Sequence, residues 1–120
     1  MPTPTLTPTV LVVEDDHLIL LNARLLLETA GCRVLVAGDA VEALRLLNEQ
    51  PDITAVFTDV AMPGPLDGLE LAAEIHQRWP AMPVHITSGS ARITADRLPP
   101  SATFLPKPYT AAAITRLLAA

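Results

Sequence analysis

Apolar residues cluster in short runs separated by longer stretches of mixed character. Residues 10–13 (Val10, Leu11, Val12, Val13) form a β-branched run with no polar alternation, which is the pattern of a strand buried on both faces of a parallel sheet. The run stops at three acids, Glu14, Asp15 and Asp16. From 18 to 29, leucines and Ala23 interleave with Asn22, Arg24 and Glu28 at helical density, Gly31 follows as a helix-ending glycine, and Asp16 is placed to cap the start. The alternation then repeats. A strand over 33–37 leads to a helix opened by Asp39 with Glu42 three residues on, its apolar face made by Ala40, Ala43, Leu44 and Leu47. A strand over 54–58 runs into Asp59, and a turn rich in Pro and Gly precedes a helix over 67–79 that Pro80 stops. A strand over 83–87 is followed by a weakly apolar helix at 91–98 ended by Pro99 and Pro100. A fifth strand over 102–105, a turn at 106–108 and a helix over 110–120, capped by Thr110, complete the pattern.

Five strands alternating with helices predict an α/β fold, a doubly wound five-stranded parallel sheet with right-handed crossovers. A chain of 120 residues has room for one such domain. Residues 1–8, with Pro2, Pro4 and Pro8, read as an irregular tail and 9–120 as the domain. Half the residues are apolar and 18% are charged, which disfavours disorder and a solvated helical rod. Eight basic residues against thirteen acidic ones, net −5, disfavour direct contact with nucleic acid or an anionic membrane. No apolar run is long enough to span a bilayer, and Cys32 is the only cysteine, so a cytoplasmic location is expected.

In open parallel sheets, ligands bind at the carboxyl ends of the strands, beside the switch in strand order. The residues standing there are Glu14, Asp15 and Asp16 after the first strand, Asp59 after the third, Thr87 and Ser88 after the fourth and Lys107 after the fifth. Carboxylates gathered from two strand ends favour a hard divalent cation, and an oxygen-only donor set suits Mg²⁺ better than Zn²⁺. Asp59 can serve as a carboxylate nucleophile for a phosphoryl group, Lys107 as the ammonium that offsets its charge, and Thr87 as a hydroxyl donor to a phosphoryl oxygen. Neither G-x-G-x-x-G nor G-x-x-x-x-G-K-[ST] occurs, which disfavours nucleotide binding.

These motifs, Val12-Val13-Glu14-Asp15-Asp16, Asp59-Val60-Ala61-Met62-Pro63 with Asp67-Gly68, Ile86-Thr87-Ser88-Gly89 and Lys107-Pro108-Tyr109, resemble in order and placement the receiver domain of two-component response regulators. The resemblance covers roughly residues 9 to 120 and implies a flavodoxin-like (βα)5 topology. It implies that Glu14 and Asp15 are metal acids, Asp59 the phosphoacceptor and Ala61 the donor of a backbone carbonyl to Mg²⁺. Thr87 is then the switch hydroxyl, with Ser88 beside it, Lys107 the phosphate contact and Phe104 an aromatic that shifts into space vacated by Thr87. Phe104 and Tyr109 form the expected partner face. The implied function is a signalling switch, not an enzyme, phosphorylated by a sensor histidine kinase or a histidine phosphotransfer protein, with dimerisation on phosphorylation a further expectation. Two alternatives stand beside a stand-alone receiver: a receiver excised from a longer regulator or hybrid kinase, and a Mg²⁺-dependent phosphohydrolase with an aspartate nucleophile. The second lacks its D-x-D pattern here, since the first strand ends Glu14-Asp15-Asp16-His17.

The chain departs from the family pattern at several points. The turn after Asp59 is one residue longer than the commonest receiver turn, and Ala61 and Gly89, two positions beyond Asp59 and Thr87, offer no polar side chain to steer water. The helix at 91–98 is shorter and less apolar than usual. His85 is expected to be packed in its strand and His17 exposed.

Overall fold

The computed structural model describes residues 7–88, 98–106, 110 and 112–114. Eight elements follow in the order β1 (Thr9–Val13), α1 (His17–Thr29), β2 (Arg33–Ala37), α2 (Ala40–Glu49), β3 (Ile53–Asp59), α3 (Gly68–Arg78), β4 (Val84–Ser88) and β5 (Ala102–Pro106). All strand pairs are parallel and the sheet order is β2-β1-β3-β4-β5. The chain moves outward from β1 to β2, then crosses back to place β3 on the other side of β1. The order therefore reverses between β1 and β3, and a crevice forms at their carboxyl ends.

Alternation along the central strands feeds two apolar layers. Leu11, Val13, Val56, Val84 and Ile86 join Ala43 and Leu47 of α2 and Leu71, Ala72 and Ile75 of α3 on one face. Val10, Val12, Ala55 and Phe57 join Ala23 and Leu27 of α1, Cys32 and Ile114 on the other. Full burial of each large apolar side chain, such as Leu11, Leu27, Leu71, Ile75 and Ile86, contributes about 1.5–3 kcal/mol.

Helix starts are set by side-chain caps. The Asp16 carboxylate accepts from the backbone N–H groups of Leu18 and Ile19 at 2.9 and 3.1 Å, so α1 opens at His17, one residue before the leucine run. Asp39 accepts from the Glu42 N–H at 2.8 Å, while the Glu42 carboxylate accepts from the Gly38 N–H at 3.4 Å, one residue short of a closed capping box. Asp67 and Glu70 close a full box, each carboxylate accepting from the other's backbone N–H. Asp67 is thus a cap rather than the first helical residue. Pro83 precedes β4 instead of opening it. Thr110 accepts from the Ala113 N–H at 3.1 Å, as expected of a cap, with residues 112–114 helical. The helix expected over 91–98, apart from Leu98, and most of the terminal helix lie outside the described residues, as do residues 1–6 of the expected tail.

Candidate functional site

Strand register aligns the site. Val13 is the partner of Thr58, so the next residues, Glu14 and Asp59, follow side by side, and Asp59 in turn is the partner of Thr87. Registered neighbours in a parallel sheet point to the same face. Glu14, Asp59 and Thr87 therefore stand in a row across three strand ends, on the face covered by α1. Leu105 is the partner of Thr87 and Pro106 of Ser88, so the chain continues from the row to Lys107. Lys107 and Tyr109 themselves lie outside the described residues.

Glu14, Asp15, Asp16, Asp59, Ala61 and Met62 line an open cleft of about 440 Å³. A small recess beneath it is walled by Glu14, Phe57, Thr58, Asp59 and Thr87, with Ile19 and Ala23 of α1. The three consecutive acids have different surroundings. Glu14 is buried, and its carboxylate accepts from the Asp16 N–H at 3.0 Å. Asp15 is exposed, and Asp16 is committed to capping α1. A buried carboxylate is costly unless charge or hydrogen bonds compensate it. Together with Asp59 and the exposed Ala61, Glu14 and Asp15 offer hard oxygen donors to a shared volume.

Thr87 is buried, and its hydroxyl donates to the Thr58 carbonyl at 3.4 Å, the long end of the hydrogen-bond range. Such a bond is readily exchanged for a shorter one to a charged oxygen. Ser88 is the last residue of β4 and buried. Phe104 is half-buried as the partner of Ile86, and it packs on the α2/α3 layer. By register it is on the opposite face from Thr87, so the expected movement into space vacated by Thr87 is not a contact between neighbours on one face. His85 is buried as expected, its Nδ1 2.6 Å from Thr103 Oγ1 and its ring centroid 4.8 Å from that of Phe57. Burial lowers its pKa from the ordinary 6.5. His17 is exposed. Burial pushes the Cys32 thiol upward, which suits a packed side chain rather than a nucleophile.

Two features of this region were not anticipated from sequence. One is the exposure of Leu18, Leu21 and Leu25 at 79%, 60% and 64%, an apolar stripe at helical spacing that starts beside the acids. The other is the contact between Gly68 and the backbone of Asp59 and Val60.

The response regulator receiver domain family matches residues 10–119. The chain belongs to that family. It is 35% identical over 114 residues to the response regulator MprA of a Mycobacterium species, covering 92% of this chain but 47% of that protein. It thus spans less than half the length of this relative. A response regulator receiver domain protein from Clostridium thermocellum superposes with a TM-score of 0.83 at 34% identity, covering 93% of this chain and 91% of the other. The receiver domain of a sensor histidine kinase from Pseudomonas aeruginosa, solved with a magnesium ion in its active-site cleft, superposes with a TM-score of 0.79 at 25% identity, covering 94% and 95%. Phosphorylation-dependent switching is the general function of receiver domains, which are signalling modules rather than conventional enzymes. No helix among the described residues is long and apolar enough to cross a membrane.

Proposed function

We propose that this receiver accepts a phosphoryl group on Asp59 from the phosphohistidine of a sensor histidine kinase or histidine phosphotransfer protein. The observation that carries the reading is the alignment of Glu14, Asp59 and Thr87 across the carboxyl ends of β1, β3 and β4, at the point where strand order reverses. An Asp59 carboxylate oxygen attacks phosphorus, the P–N bond to the donor imidazole breaks, and the imidazole leaves with the bond's electron pair. The product is an aspartyl phosphate whose oxygens carry more negative charge than the carboxylate they replace.

Glu14, Asp15, Asp59 and the Ala61 backbone carbonyl would hold Mg²⁺. Among the described residues no group of three acidic, histidine or cysteine side chains forms a cage by itself. Mg²⁺ needs no such cage, because it retains several waters and takes one or two carboxylates plus phosphate oxygens. When bound, it neutralises the charge that gathers on the transferring group. Thr87 then exchanges its long bond to Thr58 for a shorter, charge-assisted one to a phosphoryl oxygen, and Lys107 contacts the same group.

A protein donor that brings its histidine to Asp59 must pass over the rim of the cleft. The exposed stripe of Leu18, Leu21 and Leu25 lies on α1, the helix that Asp16 caps and whose Ile19 lines the cleft. An apolar helical surface carrying the donor histidine fits there, with Phe104 and Tyr109 the contact expected on the β5 side.

Incubation of wild type and Asp59→Asn with acetyl phosphate and Mg²⁺, followed by intact-mass measurement, tests the assignment. Wild type should gain one phosphoryl group, lost on prolonged standing, and the variant none. Equal uptake by both proteins refutes the assignment.

A further inference from the structure

Gly68 opens α3, is buried, and does not have a positive φ, so its missing side chain is not a demand of backbone conformation. Its reason lies in what it touches. A Cβ at this position would overlap the carbonyl oxygen of Asp59 and stand 2.8 Å from the Asp59 carbonyl carbon and 2.9 Å from the Val60 Cα. All three obstacles are backbone atoms, which cannot turn aside as the tip of a flexible side chain can. The Gly68 N–H donates to the Val60 carbonyl at 2.8 Å, so the first turn of α3 is tied to the peptide that follows Asp59.

We propose that Gly68 is a positioning residue for the phosphoacceptor. By letting the start of α3 seat on the Asp59–Val60 peptide, it fixes where the Asp59 carboxylate lies relative to Glu14, Asp15 and Thr87. The inference rests on the phosphoacceptor role of Asp59. Ordinary contact between carbon atoms lies at about 3.5–4.0 Å, so any side chain at 68 forces the two backbones apart by on the order of an ångström. Helix α3 is held by its Asp67–Glu70 capping box and by the buried Leu69, Leu71, Ala72 and Ile75. The Asp59–Val60 peptide is bonded in turn to Thr87 and Gly68, so the two backbones share the separation and the Asp59 carboxylate moves with the part that its own backbone takes up. A misplacement of about 1 Å in a reacting group costs about 10²-fold in rate.

The same clamp closes the turn after Asp59. Residues 61–67 leave the strand at Val60 and return to it at Gly68, so the loop is closed by the Gly68–Val60 hydrogen bond whatever its length. Its middle, Pro63, Gly64 and Pro65, is exposed, with Gly64 at φ +95°.

Gly68→Ala tests the proposal, with Glu70→Ala as the comparison, because the latter loosens the same helix start without approaching Asp59. Each protein is followed by far-UV circular dichroism and melting, by NMR titration of the backbone amides with Mg²⁺, and by the rate of phosphoryl uptake from acetyl phosphate. Gly68→Ala should stay folded, bind Mg²⁺ at least tenfold more weakly and take up phosphate about 10²-fold more slowly. Glu70→Ala should melt lower yet keep both site properties within about twofold of wild type. Wild-type behaviour of Gly68→Ala overturns the proposal, as does an equal loss in Glu70→Ala. Failure of Gly68→Ala to fold while Glu70→Ala folds also overturns it, because the glycine would then serve the fold and not the site. A wild type that takes up no phosphate is a different result, and it refutes the phosphoacceptor assignment itself.

Discussion

Lowering the pH from 7.5 to 5.5 should destabilise this domain through one residue in the middle of its sheet. His85 is 6% exposed, with its ring against Phe57 and its Nδ1 2.6 Å from Thr103 Oγ1. Burial lowers its pKa from 6.5 because the surroundings disfavour the imidazolium. In the unfolded chain the same ring takes up a proton as the pH falls through about 6.5. Below that pH the unfolded state binds more protons than the native state, so stability that is fully present above 6.5 is lost until the native ring also protonates. The loss can reach about 1.4 kcal/mol per pH unit, so by pH 5.5 it totals at most about 1.4 kcal/mol. That is a substantial share of the roughly 5–15 kcal/mol by which domains are stable. Urea denaturation of wild type and His85→Gln across the interval measures it. The glutamine retains an amide for Thr103 but does not titrate. Every other residue is common to the two proteins, so the difference between the two curves isolates position 85. With urea slopes of about 1–3 kcal/mol per molar, the wild-type midpoint should fall relative to the variant, by no more than roughly 0.5–1.4 molar. Parallel pH profiles for the two proteins would refute the reasoning.

Thr87→Ala should take up a phosphoryl group from acetyl phosphate at close to the wild-type extent, yet lose the amide shift changes in β4 and β5 that wild type shows on phosphorylation; an unchanged response makes Thr87 strand filler. Leu18→Asp should slow transfer from a phosphohistidine protein by at least tenfold while leaving acetyl phosphate uptake within about twofold, since more than three quarters of this side chain is available for apolar contact, worth about 1–2 kcal/mol when covered. Equal effects on the two donors would remove the stripe from the docking surface.

The strands were legible because the central ones are buried on both faces. Residues 10–13 and 54–58 carry no polar alternation, and a run of that length between Gly or Pro signals has few other uses. The caps at Asp16, Asp39 and Thr110 were legible for a local reason, since a cap needs only itself and the next three residues. The box formed by Asp67 and Glu70 has the same local signature, and attention to the D-x-x-E spacing would have found it. Helix α1 is a different case. Leucine stands at 18, 20, 21, 25, 26 and 27, so apolar residues occur around the whole helix and periodicity cannot name the buried side. Packing on the sheet decides it, and only Ala23 and Leu27 are fully buried. Candidate site residues could be named from residue types at strand ends, whereas their relative placement depends on the register of strands distant in sequence. The pairing of Phe104 with Ile86 rather than Thr87 is one such fact, and the overlap that keeps Gly68 a glycine is another.

The two sides of Asp59 are held unequally. On one side, the peptide after Asp59 is fixed by two backbone hydrogen bonds, Val60 N–H to the Thr87 carbonyl of β4 at 3.1 Å and Gly68 N–H to the Val60 carbonyl at 2.8 Å, and by an approach to α3 too close for any side chain. Thr58 adds a hydroxyl donated to the Asp59 carbonyl at 3.0 Å. On the other, the Thr87 side chain is held, among the described residues, by one hydrogen bond of 3.4 Å. A new charge on Asp59 cannot readily move the first side, because doing so breaks short bonds and separates packed backbones. It can move the second, because a charge-assisted bond from Thr87 to a phosphoryl oxygen is roughly twice as strong as the neutral one it replaces. On the proposed phosphoacceptor role of Asp59, the response is expected to enter β4 at Thr87 and to reach β5 through its registered partner Leu105, on the α1 face. Movement of Phe104 on the other face then has to follow from a shift of the β5 backbone, not from a cavity opened beside its ring.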